Sequence, residues 1–310
     1  MEKVCIVLST FNGEKYLKEQ IDSLLIQTGV DVTILVRDDG SKDNTVLILK
    51  EYAEKNGNIS LLEKDFGVNF GVAKSFIFLL TTAAQMFPKT SYFFFADQDD
   101  VWLPDKCSRA VTHLPNYQNK AALYFSRKKL VDATLKPLGR KDYIRLTHTF
   151  WDYFDRSNAF GCTMCVTRPL VDALQDDRFY ELQFLHDNYI YRLCLSANIP
   201  IFYDDAETIL YRQHGDNVEG AVKKPNVFRG VKRLFSLRKK PHIIRLTSSY
   251  LLKNRSDILD KDNRMILELV MASYKSFKSK FKLILLYNKQ QNRTLKEKLL
   301  RSLTFLINYN

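Results

Sequence analysis

No apolar run in the 310-residue chain approaches 18 residues, so no membrane-crossing helix is expected. Residues 1–12 enter an apolar, strand-like run without a basic leader or a small-residue cleavage site, and secretion is not expected. Cysteines are few and odd in number: Cys5, Cys107, Cys162, Cys165 and Cys194. They read as reduced thiols in a reducing compartment, not as a disulfide framework. Cys162 and Cys165 form one C-x-x-C with no second pair, which argues against structural zinc. No G-x-G-x-x-G follows the first apolar run, which argues against a dinucleotide-dependent oxidoreductase. No internal repeat is visible. With 45% hydrophobic and 26% charged residues, the chain is neither disordered, collagen-like nor of low complexity.

Acidic residues are scarce in one region only. Residues 1–220 hold 25 Lys+Arg and 30 Asp+Glu, a net of −5, whereas residues 221–310 hold 22 and 5, a net of +17. The overall +12 therefore conceals two parts that face different partners.

The first part alternates short apolar runs with helical patterns. Strands are predicted over residues 4–8, 32–36, 59–62 and 92–96, continuous runs suited to burial on both faces. Helices are predicted between them: one carrying Leu17, Ile21, Leu24 and Leu25, one carrying Val46, Leu49, Tyr52 and Ala53, and one over residues 71–86. This β-α-β-α-β-α-β order predicts a parallel sheet with helices on both faces. Ligands of such sheets bind beyond the carboxyl ends of the strands. Polar residues follow three of these ends, at 9–14, 38–43 and 97–100. Further on, helices are predicted over 105–114 and 185–195, and strands over 121–125, 201–203 and 208–211. Beyond residue 220 the pattern is helical. Val227, Val231, Leu234 and Phe235 line a short helix; others are predicted over 243–258 and 263–287, with a last one carrying Leu295, Leu299, Leu303 and Leu306.

Two clusters carry chemistry. In Phe95-Ala96-Asp97-Gln98-Asp99-Asp100, three carboxylates end a buried strand, and mutual repulsion makes a cation among them favourable. D-x-D spacing presents two carboxylates to one hard divalent metal, which in turn holds a diphosphate. Such a turn can also merely cap the helix after Pro104. The second cluster, Asp38-Asp39-Gly40-Ser41, can accept hydrogen bonds from a ribose or a pyrimidine N3–H, or simply form an Asx-type turn and N-cap. Those two readings stay open on the residues alone.

The ordered set "VLSTFNGEKYL" (7–17), "VRDDGSKDNT" (36–45), "NFGVAKSF" (69–76) and "FADQDDVWLPDK" (95–106) resembles the family 2 glycosyltransferases. "HDNY" (186–189) and "YRQHGDN" (211–217) look most like the rhamnosyltransferase branch, in particular bacterial cell-wall polyrhamnose α-1,3-L-rhamnosyltransferases. The resemblance covers roughly residues 3–215. It implies a GT-A nucleotide-diphospho-sugar transferase fold over residues 1–220: an α/β, Rossmann-like mixed sheet flanked by helices. Residues 221–310 would add a basic amphipathic helical region for membrane association or dimerisation. By position, Ser9, Thr10 and Phe11 match the segment lining the nucleotide base. Asp39 matches the acid that bonds the pyrimidine, with Asp38 beside it. Lys74 lies where a basic residue approaches the donor. Asp97 matches the acid holding ribose or a metal-bound water, and Asp99 the direct ligand of a divalent metal, Mn²⁺ or Mg²⁺. His214 would complete the metal shell, and Arg212 would meet the diphosphate. Gly161, Cys162 and Thr163 resemble the acceptor-side segment, with Trp102 as a substrate wall or a core residue. Asp187 matches the catalytic base, although an acid in the first turn of a helix is also favoured by the helix dipole alone.

What the resemblance implies is an inverting, metal-dependent transferase. It would move L-rhamnose from TDP-β-L-rhamnose to a lipid-linked saccharide through an α-1,3 linkage. UDP-galactose or UDP-N-acetylglucosamine is the alternative donor. A non-catalytic membrane-binding protein on a degenerate fold is the reading from another class, and the presence of Asp97, Asp99 and Asp187 argues against it. The basic tail fits an anionic lipid surface, with Phe228 or Phe281 inserting, and hence a cytoplasmic enzyme peripheral on the inner face of the cell membrane. A homodimer surface is the other reading of the tail; no nucleic-acid motif is present.

Overall fold

A computed structural model describes residues 1–63, 66–139, 148–155, 157, 159–175, 185–215, 243–290 and 293–307. The chain divides into two compact units. One comprises Met1–His148, Ser157–Cys194 and Ile199–Gly220; the other comprises Thr149–Arg156, Leu195–Asn198 and Ala221–Asn310.

The first unit is built on one eight-stranded sheet. In chain order its elements are β1 (Glu2–Thr10), α1 (Leu17–Leu25), β2 (Val30–Asp38), α2 (Thr45–Lys55), β3 (Ile59–Leu61), α3 (Val72–Met86), β4 (Tyr92–Ala96), β5 (Val101–Trp102), α4 (Lys106–His113), β6 (Leu123–Val131), β7 (Met164–Thr167), α5 (Arg168–Leu174), α6 (His186–Ser196) and β8 (Ile201–Arg212). The strand order is β3-β2-β1-β4-β7-β6-β8-β5. The first four neighbours are parallel, as the alternating helices require. β7 then runs antiparallel to both β4 and β6, and β5 antiparallel to β8. The sheet is therefore mixed. The alternation of elements predicts only its parallel half, because β7 follows a short 3₁₀ turn at Gly161–Thr163 and is only four residues long.

Burial explains the composition of the central strands. All five residues of β4 are fully buried, and Val4 to Leu8 of β1 are at most 1% exposed. Strands covered on both faces have no solvent side to encode, so they read as unbroken apolar runs. Phe94 packs into the cluster of Ile6, Leu8, Ile34 and Leu24, while Phe95 on the opposite side meets Phe76 of α3 edge-on at 5.8 Å. Register then sets the site. Leu8 pairs with Ala96 and Thr10 with Asp38, so the three polar stretches after β1, β2 and β4 emerge side by side.

β8 merges two predicted strands across the polar Asp204-Asp205 pair. Its register against β6 shifts near Arg127, and Asp204 turns inward. Asp204 is 6% exposed. It accepts bonds from Arg109 at 2.8 and 3.0 Å and from the Tyr124 hydroxyl at 3.0 Å. Burial alone would raise its pKa, but Arg109, the Ala206 N–H and Tyr124 outweigh that and hold it below the usual value.

The second unit contains α7 (Ile243–Asn254), α8 (Lys261–Ser273), α9 (Phe277–Asn288) and α10 (Leu295–Ile307). The helix predicted over 263–287 is two helices. Ser276 caps α9 by accepting from the Ser279 N–H, and Asp260 caps α8 by accepting from the N–H groups of Asp262 and Asn263. Such caps satisfy donors that a helix start leaves open. Thr149–Arg156 belongs to this unit, although it lies far upstream of the change in charge. Arg293 pairs there with Asp152 at 2.7 Å and with Asp155, and Phe154 packs edge-on against Phe305 at 5.3 Å. The predicted helix at 227–235 and Phe228 lie outside the described residues.

Replacing Asp204 with alanine leaves Arg109 and the buried Tyr124 hydroxyl without their shared acceptor. The expected cost is about 2 kcal/mol, read from urea unfolding at pH 7. The wild-type advantage should fade as pH falls through the lowered carboxyl pKa, because only the ionised form makes these bonds. An unchanged midpoint would show that the pair contributes nothing.

Candidate active site

A cavity of about 230 Å³ opens at the carboxyl ends of β1, β2 and β4. Ser9, Thr10, Phe11, Asp39, Asp97, Asp99, Gly161, Cys162 and Asp187 all line it. Residues from five distant stretches of sequence thus converge on one cavity.

At the β1 end, Gln98 holds the Phe11 backbone through both polar groups. Its side-chain oxygen accepts from Phe11 N–H at 2.7 Å, and its amide donates to the Phe11 carbonyl at 2.9 Å. The Phe11 ring remains 46% exposed, a flat apolar surface at the cavity edge. Asp39 is held from three sides. Its Oδ1 accepts from Phe70 N–H at 2.6 Å and from Arg37, and its Oδ2 accepts from Gly71 N–H at 2.9 Å. Arg37 is fully buried, also reaches the Val68 carbonyl, and lies 3.8 Å from the Phe70 ring centroid. A carboxylate has about four acceptor sites, so Asp39 keeps capacity for one more donor from the cavity. Asp38 accepts from Thr10 at 2.9 Å and from the N–H groups of Gly40 and Ser41 at 3.0 and 2.8 Å. It shapes the turn, and Gly40 supplies the left-handed backbone at φ 93°. Asp38 thus meets the turn reading of the pair, while Asp39 lines the cavity.

The acidic loop after β4 is the electrostatic centre. Asp97 and Asp99 keep part of their surface open, whereas Asp100 is fully buried. Burial, then Asp99 and Asp187, push the Asp97 carboxyl up to about 7. Burial, then Asp99 and Asp97, raise Asp100 well above the carboxylate range. Asp100 accepts from the Arg212 backbone N–H at 3.0 Å, but its Oδ2 has no hydrogen-bond partner. Lys128 offsets part of the charge, its Nζ held 3.0 Å from the Phe160 ring centroid.

The donor set fits a hard divalent cation. Asp97, Asp100 and Cys162 bring ligand atoms within 4.8 Å of one another, and His214 Nε2 lies 2.7 Å from Asp99 Oδ2. The orphaned Asp100 oxygen and the crowded carboxylates are what a bound cation would satisfy. Oxygen ligands suit Mg²⁺ or Mn²⁺. Cys162 is a hydrogen-bond partner of Asp97, and burial raises its thiol pKa well above normal. It is a neutral thiol packed beside the acids.

Asp187 occupies the first turn of α6. Its Oδ2 accepts from Gly161 N–H at 3.2 Å and its Oδ1 from Asn188 N–H at 2.6 Å. This satisfies the helix start and still leaves the carboxylate on the cavity wall.

The remaining expected residues stand apart from that wall. Arg212 is 1% exposed. Its guanidinium donates to the Asp99 carbonyl at 2.8 Å, the Ala133 carbonyl at 2.6 Å and Glu19 at 2.5 Å. It braces the acidic loop from beneath, which corrects its expected contact with a diphosphate. Trp102 sits in the core, 6.0 Å from Phe94, which selects the core reading over the substrate wall. Lys74 lies 4.4 Å from the Phe70 ring centroid. Thr163 bonds back to the Phe160 carbonyl at 2.8 Å. Conversely, the cavity recruits Phe76, Gln98, Phe160, His186 and Tyr211, and Arg37 lies behind Asp39. Arg37 and Gln98 lay inside the quoted motifs, but nothing in the spacing marked them as braces.

Glycosyl transferase family 2 matches residues 5–174, more than half of the chain. The chain belongs to this family. Its activity is that of a hexosyltransferase, and its mixed sheet flanked by helices is the GT-A fold. Among curated relatives, the Shigella flexneri protein named dTDP-rhamnosyl transferase RfbG is 30% identical over 221 residues, 69% of this chain and 74% of that protein. The uncharacterized glycosyltransferase RP339 of Rickettsia prowazekii is 31% identical over 224 residues, 68% of this chain and 64% of that one. Among solved structures, S. aureus TarS 1-349 in complex with UDP-GlcNAc has a TM-score of 0.57 at 20% identity, covering 98% of this chain and 79% of that one. The mannosyltransferase PcManGT from Pyrobaculum calidifontis, in complex with GDP-Man and Mn²⁺, has a TM-score of 0.53 at 14% identity, covering 99% and 80%. At these identities the two structures speak to the fold alone.

Proposed function

We propose that this family 2 enzyme transfers L-rhamnose, with inversion, from TDP-β-L-rhamnose to a lipid-linked saccharide, forming an α-1,3 linkage. The observation that carries the reading is the convergence of Asp39, Asp97, Asp99 and Asp187 on one cavity. The name of the Shigella relative supports the choice of sugar. A UDP-sugar is the second reading, favoured by the fold shared with a protein solved with UDP-GlcNAc.

The nucleotide lies along Ser9, Thr10 and Phe11. Asp39 accepts the pyrimidine N3–H with its remaining acceptor site, while Arg37 and the N–H groups of Phe70 and Gly71 fix the carboxylate. Asp97 faces the ribose and diphosphate. Asp99 and His214 would hold a divalent cation together with the neighbouring acids, and such an ion would supply charge neutralisation to the leaving nucleoside diphosphate. The acceptor hydroxyl enters beside Gly161 and Cys162. Asp187 takes its proton as the oxygen attacks the anomeric carbon, and the bond to the diphosphate oxygen breaks on the opposite face. A positioned base of this kind contributes about 10²–10⁴-fold. One displacement converts the β-linked donor into an α-rhamnoside. Alignment of the two substrates supplies a further part of the rate.

The second unit suits an anionic membrane surface. No helix among the described residues is long and apolar enough to cross a membrane. On α9, Phe277, Phe281 and Leu285 are exposed at i, i+4, i+8, with exposed Lys278 and Lys282 on the same side and no acidic residue in the helix. On α10, Leu295, Leu299 and Leu303 repeat that spacing beside Lys296. An apolar stripe edged by lysines can rest in the headgroup boundary, and each nearby cation adds about 1 kcal/mol. These stripes support a peripheral position on the leaflet that carries the proposed acceptor.

Two experiments test these readings. With Mn²⁺ and a panel of sugar nucleotides, the wild type should consume TDP-β-L-rhamnose and transfer it to a lipid-linked glucosamine acceptor. Asp187→Asn should lose at least about 100-fold in kcat while binding TDP normally. Consumption of UDP-sugars alone would overturn the rhamnosyl reading, and full activity in Asp187→Asn would remove the base. In sedimentation with vesicles containing anionic phosphatidylglycerol, the protein should pellet at low salt. Phe281→Glu with Leu299→Glu should abolish this. A concentration-dependent dimer lost in the same variant, without vesicle binding, would instead assign the stripes to a second subunit.

A further inference from the structure

His186 is 4% exposed, lines the cavity, and has no hydrogen-bond partner at either ring nitrogen. Its ring sits against two phenylalanines, 4.3 Å from Phe76 and 5.0 Å from Phe95 between centroids. Gly161 lies opposite: a Cβ there would fall 2.6 Å from Nε2, so glycine is what admits the imidazole. An apolar side chain would fill this slot without leaving two buried polar atoms unsatisfied, and such atoms in a native structure call for an explanation.

The location supplies one. Gly161 meets both the imidazole and, through its N–H, the Asp187 carboxylate, and the ring packs on Phe95 of β4, two residues before Asp97. It therefore spans the interval between the base and the carboxylates that face the diphosphate, which is where the transferred sugar must lie. Burial pulls its pKa down to about 3, so at working pH the ring is neutral, with one nitrogen donating and the other accepting. That pattern matches a hydroxyl, which is both donor and acceptor. A diphosphate would call for a cationic donor, and the pyrimidine segment lies at the opposite end, at Ser9 to Phe11 and Asp39.

We propose that His186 is a specificity-determining residue that hydrogen-bonds a ring hydroxyl of the transferred sugar. The inference rests on the donor reading above and deepens it. Phe76 and Phe95 orient the ring, and Gly161 clears its path. A site built to bond a hydroxyl rejects the analogue that lacks it, because its own buried group is then left unpaired.

The test compares His186→Phe, which keeps the ring packing, with His186→Gln and His186→Asn, which return an amide near Nε2 or Nδ1. Each is assayed on TDP-β-L-rhamnose and on its monodeoxy analogues, alongside binding of TDP alone and thermal unfolding. His186→Phe should lower kcat/KM for the full sugar by about tenfold or more with TDP affinity and melting temperature unchanged. One amide variant should recover most of the loss. One deoxy analogue should be discriminated against by the wild type and not by His186→Phe. Wild-type kinetics in His186→Phe, or a parallel loss of TDP binding and melting temperature, would overturn the proposal and make His186 a packing residue. A wild type that binds TDP but processes only UDP-sugars would contradict the donor reading instead, and the same variant comparison on the accepted sugar would still decide the role of His186.

Discussion

Placing Asp97, Asp99 and Asp100 at the end of a fully apolar strand concentrates like charge where water is scarce, and the surrounding structure compensates for it. Arg212 braces the loop through the Asp99 carbonyl and the Asp100 carboxyl. Lys128 stands close enough to lower both raised carboxyl pKa values in part. The Cys162 thiol bonds Asp97, and His214 bonds Asp99. One Asp100 oxygen remains without a partner. The protein therefore neutralises its acids incompletely, and the remainder is what the proposed divalent cation would satisfy.

The other end of the cavity solves a different problem. In the proposed role, a carboxylate that selects one N–H from a flat base has to be held still. Asp39 is held by a buried arginine and by two backbone N–H groups at the start of α3. Asp38, one residue earlier, spends its oxygens on Thr10 and the turn at Gly40. Adjacent acids thus divide the work: one shapes the loop, the other faces the cavity. Arg37 couples β2 to the stretch around Val68 and Phe70, so the Asp39 side of the cavity depends on a residue that is not among those lining it.

Much of this was legible in the sequence for simple reasons. Strands buried on both faces announce themselves as apolar runs, and polar residues at their carboxyl ends have few structural explanations. Hence β1, β2, β4 and the acidic loop could be placed. Short elements could not. β7 is four residues long, and β5 is two. β8 reads as two strands because Asp204, an acid in mid-strand, looks like a break until Arg109 and Tyr124 are seen beside it. Arg212 and Trp102 resemble ligand-facing types, yet the Arg212 guanidinium is taken up by Glu19 and Ala133, brought from more than 70 residues away, and the Trp102 ring is buried in the core against Phe94. Thr149–Arg156 joins the helical unit through aromatic packing and the Arg293 pairs, which charge bookkeeping along the chain cannot register. His186 gave no sequence signal beyond its place before Asp187.

The central claim is that the acidic loop is completed by a divalent cation that joins protein to nucleoside diphosphate. Titration of Mn²⁺ followed by electron paramagnetic resonance, with and without TDP, tests it most directly. One ion should bind per chain, more tightly when TDP is present, and Asp99→Asn should abolish both the site and the enhancement. Equal Mn²⁺ binding by wild type and Asp99→Asn, or tight TDP binding that is indifferent to the metal, would contradict it.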